Sequence, residues 1–213
     1  VTVDTEGQHP AAGGPAAPPA APAAAPLVNI ANMLTMLRIA LVPVFAAVLM
    51  YDHGRSTGWR LVAAAVFTAA SITDRFDGEL ARKRGLVTDF GKIADPIADK
   101  ALMGAALIGL SALGELWWWV TVVILIRELG ITALRFWVIK RGVIAASRGG
   151  KLKTLLQALA IFVYVLPFGA EHGSWAWLNP VAAVIMGAAL VATVVTGVDY
   201  VMQAMALRRT SRG

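Results

Sequence analysis

The chain has 213 residues, of which 58% are hydrophobic and 15% charged, and its mean hydropathy is +0.67; soluble domains carry roughly 25% charged residues, so an ordinary water-soluble domain is excluded. Cysteine is absent, which rules out disulfides, thiolate metal sites and cysteine nucleophiles. The formal net charge is +6, and beside long apolar runs that excess points to anionic lipid headgroups rather than nucleic acid.

In chain order, residues 1–26 are dominated by Ala, Pro and Gly with almost no large apolar side chain. Such a stretch buries too little surface to offset the entropy of ordering and reads as a disordered tail. Without a basic start and a continuous apolar core, it does not read as a signal peptide. Residues 27–207 read as one membrane domain and 208–213 as a basic tail. Residues 29–38 mix polar and apolar side chains, as suits an interfacial helix leading into a span. Apolar runs follow near 39–51, 59–72, 97–113, 116–126, 155–168 and 176–198. Extended through their polar ends, they approach the ~20 residues that cross a bilayer as a helix. The expected fold is all-α, a polytopic membrane protein with six transmembrane helices and an N-terminal interfacial helix.

The loops set an orientation. Arg82, Lys83 and Arg84 follow the second run, Lys140, Arg141, Arg148, Lys151 and Lys153 the fourth, and Arg208, Arg209 and Arg212 the sixth, whereas the opposite loops carry chiefly Arg55 and Arg60. Basic loops stay cytoplasmic, so both termini are expected inside, in the cell membrane. Trp117, Trp118 and Trp119 read as part of an aromatic belt at a membrane edge. His53 and His172 fall in expected external loops, and Asp199 suits a pairing or capping role.

The chemistry-bearing segment begins at Asp74-Arg-Phe-Asp77-Gly78 and continues through Ala81-Arg82 to Gly91, Asp95 and Asp99. Spacings of three and four residues put each aspartate pair on one helix face. The short basic connection makes the two helices antiparallel neighbours. At about 1.5 Å per residue, both pairs lie roughly 9–15 Å from the hairpin tip. Four carboxylates at one depth repel one another unless cations neutralise them, and oxygen-only donors suit Mg²⁺ or Mn²⁺. Salt bridges to Arg75, Arg82, Lys92 and Lys100 are the competing use of the same aspartates. Carboxylates buried in a membrane are costly and, as a rule, functional.

Asp74, Asp77, Gly78, Ala81, Arg82, Gly91, Asp95 and Asp99 fill every fixed position of D-x-x-D-G-x-x-A-R, eight residues, then G-x-x-x-D-x-x-x-D. At these residues the chain resembles the CDP-alcohol phosphotransferase family, and the resemblance extends from about Asn29 onward. Three further stretches look like the branch that makes phosphatidylglycerol phosphate: 32–38 (NMLTMLR), 127–135 (RELGITALR) and 150–157 (GKLKTLLQ). The resemblance implies transfer of a phosphatidyl group from CDP-diacylglycerol to sn-glycerol 3-phosphate, with release of CMP, by a homodimer using two divalent ions, Mg²⁺ or Mn²⁺. It assigns metal binding to Asp74, Asp77, Asp95 and Asp99, and general-base catalysis to Asp99. Gly78 and Arg82 would contact the cytidine diphosphate, with Asn32 and Arg38 lining that pocket, unless Arg38 snorkels to the interface.

The acceptor phosphate needs cations of its own. Arg127 and Arg135 are eight residues apart on one helix and so share a face, and Lys151 and Lys153 open the next helix from the same side. Arginine suits bidentate phosphate contacts, although Arg127 has Glu128 beside it as an alternative partner. Two other readings compete: a relative using inositol phosphate, serine or phosphatidylglycerol as acceptor, and a divalent-cation transporter. A purely structural scaffold leaves the aspartate spacing unexplained.

Overall fold

The computed structural model describes residues 29–84, 88–138, 148–167 and 178–210. The expected tail at 1–26, His172 and residues 211–213 lie outside them. Among the described residues, six α-helices stand where the six apolar runs fall: α1 Ile30–Met50, α2 Thr57–Arg84, α3 Asp89–Ala112, α4 Trp118–Val138, α5 Arg148–Val165 and α6 Leu178–Thr210. No strand occurs among the described residues. Two segments, Asn32–Gly54 and Asn179–Gln203, are long and apolar enough to cross a membrane, and Leu152–Val165 is a shorter apolar helix. The other helices carry the charged residues described below.

The separate interfacial helix expected at 29–38 does not form; these residues are the first turns of α1, continuous with the first apolar run. The Asn29 side chain caps the helix by accepting from the Asn32 backbone N–H at 2.9 Å, which satisfies one of its orphan donors. Asn29, Asn32, Thr35 and Arg38 recur at every third position and are all buried. They therefore form one polar face that turns into the bundle, not along a membrane surface.

A second correction concerns the hairpin. The helices α2 and α3 touch each other only sparsely, because α1 packs along both. The site is thus built on three helices. Behind it, α5 packs on α6 and α4 leans on α6. The core joins Phe45 and Leu49 of α1, Phe67 of α2, Leu102, Leu107 and Leu110 of α3, Ile124 of α4, and Ile161 and Val165 of α5. Buried Ala63, Ala64, Ala70, Ala106 and Ala160 sit among them, small residues that let helices approach closely.

Outward faces carry Ile126, Val184, Val191 and Val195, each more than 60% exposed, while Arg38, Lys153, Gln157 and Thr193 are buried. In water this arrangement forfeits apolar burial and desolvates charge. Against hydrocarbon it is the favourable one.

Arg60, read from the sequence as a loop cation, is instead a buried residue in the first turn of α2. Its guanidinium grips Glu115 in the α3–α4 turn with two bonds of 2.6 and 2.7 Å and donates to the Tyr164 carbonyl at the end of α5 at 2.7 Å. Fourteen residues separate Arg60 from Asp74, about 21 Å along a helix, so this clasp holds the end of the bundle away from the aspartates. It lies in the wall of a cavity of about 670 Å³ rimmed by Trp117 and Trp119, whose rings stack at 6.2 Å. His53 is exposed, and Asp199 accepts from Gln203 one turn on, at 2.9 Å.

Candidate active site

Two helix N-termini meet at the aspartate end. Thr88 caps α3 by accepting from the Gly91 N–H at 3.0 Å, and the same hydroxyl donates to Asn32 Oδ1 at 2.9 Å, joining the α3 cap to the start of α1. Gly91 permits this approach: a Cβ there would stand 3.0 Å from Asn32 Oδ1 and 3.3 Å from Thr88 Oγ1. The positive ends of the α1 and α3 dipoles therefore point toward the same corner, which favours anions.

The polar face of α1 then meets both acidic helices. Arg38 Nη1 pairs with Asp74 Oδ1 at 2.6 Å, and the arginine side chain is 1% exposed. That burial is incompatible with snorkelling and makes Arg38 the internal counter-charge of α2. One turn earlier, the Thr35 hydroxyl donates to Asp95 Oδ1 on α3. The sequence reading missed Thr35, although the polar residues at 29, 32, 35 and 38 were a signal for it.

Asp99 stands one turn beyond Asp95 on α3. The charge that acts on it most strongly is Asp74, followed by Lys100, Glu128 and Arg38. It also lines a cavity of about 40 Å³ with Lys100, Glu128, Lys153, Thr154 and Gln157, between α3, α4 and α5. Asp99 thus borders a wall of charged side chains drawn from α3, α4 and α5. Glu128 is the hub of that wall: it accepts from Arg127 at 3.1 Å, from Lys100 at 3.4 Å and from the buried ammonium of Lys153.

The expected acceptor residues separate in space. Lys153 and Asp99 border the same cavity, but Arg127 is not among its lining residues. Arg127 reaches α6, where Nε donates to the Thr193 carbonyl at 3.1 Å and Nη2 to Thr196 Oγ1 at 2.8 Å. Gly197 leaves room for this, since a Cβ there would come within 3.1 Å of Arg127 Cγ. The side chains of Asp77, Arg82, Arg135 and Lys151, and the surroundings of Gly78, lie outside the described residues.

Among the described residues, no three acidic or histidine side chains come together closely enough to hold an ion. The donor set nonetheless fits a hard divalent cation: Asp74, Asp95 and Asp99 offer oxygen atoms only, and Asp74 already requires a cation, here Arg38, to neutralise it.

An apolar helical bundle with carboxylates and cations turned toward one another at one end defines a protein of membrane character with a polar site built into it. Residues 28–195 match the family model described as CDP-alcohol phosphatidyltransferase, and the chain belongs to that family. It is 56% identical over 179 residues to a protein of Mycobacterium tuberculosis named "Probable phosphatidylglycerophosphate synthase", a match covering 84% of this chain and 83% of that one. It is 38% identical over 187 residues to the CDP-diacylglycerol–glycerol-3-phosphate 3-phosphatidyltransferase of Bacillus subtilis, covering 82% of this chain and 94% of the relative. A protein of the same name in Rickettsia bellii is 38% identical over 173 residues, covering 81% and 93%.

Proposed function

We propose that this protein transfers the phosphatidyl group of CDP-diacylglycerol to sn-glycerol 3-phosphate, yielding phosphatidylglycerol phosphate and CMP. The observation that carries the reading is the place of Asp99, one turn beyond Asp95 on α3 and in the wall of the cavity that it shares with Lys100 and Lys153. A base in that position can serve an acceptor hydroxyl whose phosphate is held by cations while the CDP-lipid lies along the other aspartates. Asp99 takes the proton of the primary hydroxyl, whose oxygen bonds to the β-phosphorus as the bond from that phosphorus to the CMP oxygen breaks.

Asp74, Asp77, Asp95 and Asp99 would hold two Mg²⁺ or Mn²⁺ ions, which when bound neutralise charge developing on the pyrophosphate. Arg38 keeps Asp74 oriented and Thr35 does the same for Asp95. Asn32, Gly78 and Arg82 line the cytidine diphosphate side. Lys153, with Arg135 and Lys151, meets the acceptor phosphate, while Arg127 braces this wall against α6.

The six helices of 18 to 33 residues support a six-span topology, and the distribution of basic residues supports a cytoplasmic site. We assign the protein to the cell membrane as a homodimer on the same family grounds.

The test is to incubate purified protein with CDP-diacylglycerol, Mg²⁺ and single acceptors, and to identify the lipid product. We expect phosphatidylglycerol phosphate with glycerol 3-phosphate, little product with inositol phosphate or serine, and no CMP release after chelation until Mg²⁺ or Mn²⁺ is restored. Turnover of another acceptor in preference would overturn the assignment, and cation flux without CDP-lipid would favour a transporter. Thr35→Val, which keeps shape but withdraws the donor from Asp95, should lower kcat about 10-fold, the value of one hydrogen bond to a charged group. An unchanged kcat would show that Asp95 needs no such support.

A further inference from the structure

Glu128 is an acidic residue inside a wall that must attract an anion, and none of the roles above uses it. Its Oε1 accepts from Lys153 and from Arg127, the latter at 3.1 Å, and its Oε2 from Lys100 at 3.4 Å. The partners come from α5, α4 and α3 respectively. Lys100, Glu128 and Lys153 border the same cavity as Asp99, and the Lys153 side chain is 5% exposed.

A lysine is a point charge on a flexible four-carbon stem, and two ammonium groups beside one cavity, the half-buried Lys100 and the buried Lys153, repel each other. A single carboxylate between them offsets that repulsion and gives both stems a fixed anchor. Without Glu128 the wall would hold one more positive charge but no defined geometry.

We propose that Glu128 is a positioning residue of the acceptor subsite, holding Lys100 and Lys153 toward Asp99 so that they receive the phosphate of the acceptor alcohol. Lys100 thereby joins the phosphate ligands. This rests on the acceptor reading above, and the experiment separates the two.

Initial rates of CMP release are measured for the wild type, Glu128→Gln and Glu128→Asp in detergent, varying glycerol 3-phosphate at saturating CDP-diacylglycerol and then the reverse. Glu128→Gln should raise KM for glycerol 3-phosphate at least about 10-fold, one charge-assisted hydrogen bond's worth, leaving KM for CDP-diacylglycerol within about 2-fold. Inhibition by inorganic phosphate should weaken in parallel. Glu128→Asp, which keeps the charge but shortens the reach, should fall between. A KM for acceptor that is unchanged, or equal losses for both substrates, overturns the proposal; a lowered acceptor KM would mean that Glu128 competes with phosphate instead of arranging its ligands. If Glu128→Gln does not fold, Lys100→Gln carries the test, with the same rise expected and an unchanged KM decisive against it. Wild-type protein that ignores glycerol 3-phosphate overturns the acceptor reading itself, whereas wild-type use of it with unaltered KM in the variants overturns only the role of Glu128.

Discussion

Asp99→Asn should reduce CMP release by at least about 10³-fold, within the range spanned by loss of a general base, while the protein still purifies as a folded, detergent-soluble species. Asparagine matches aspartate in size and keeps an oxygen toward the cavity, so packing beside Lys100 and Leu107 is little disturbed. It cannot accept a proton at neutral pH, and it removes one negative charge from the cavity wall beside Lys100 and Glu128. Both the base and a donor oxygen for a divalent ion are weakened together. The defect should therefore lie in kcat, not in the KM for either substrate. Two measurements check this: steady-state rates with each substrate varied, and thermal unfolding to verify the fold. A variant that retains more than about a tenth of wild-type kcat would be incompatible with the loss of a base.

The second large effect belongs to stability. Arg60→Ala should lower stability by about 3 kcal/mol, the low end for removing one partner of a buried ion pair, because Glu115 remains 29% exposed and its stranded carboxylate is partly rescued by solvent. The substitution also deprives the Tyr164 carbonyl of its donor. Two connections of α2, to the α3–α4 turn and to the end of α5, are therefore loosened at once. Replacing both partners, Arg60→Met with Glu115→Leu, should recover most of the loss, since an apolar pair of similar volume carries no desolvation penalty. Thermal unfolding in a mild detergent reads the series. Equal midpoints for wild type and Arg60→Ala would show that the clasp adds nothing, and kcat should change little because the aspartates lie at the other end.

How much of this was legible beforehand follows from the range over which each signal acts. The places of the helices among the described residues came from runs of apolar residues, and the expectation that each aspartate pair shares a face came from three- and four-residue spacing. These are properties of a single helix. The polar face of α1 was equally present, at positions 29, 32, 35 and 38, but was read as interfacial because periodicity reveals a face without saying what it will meet. For the same reason Arg60 looked like a loop cation, and Arg127 and Lys153 looked like equivalent ligands of one phosphate.

The sequence by itself determined that the chain is helical and too apolar for water, and which aspartates of two helices carry the family motif. Only the tertiary structure decided that α1 enters between those helices, that Arg38 and Thr35 serve as their partners, and that Glu128 gathers three cations. The physical reason is separation along the chain. Thr35 and Asp95 are 60 residues apart, Arg60 and Glu115 are 55 apart, and Glu128 and Lys153 are 25 apart. A charge buried in an apolar bundle must find a partner, but which partner it finds depends on how the helices pack.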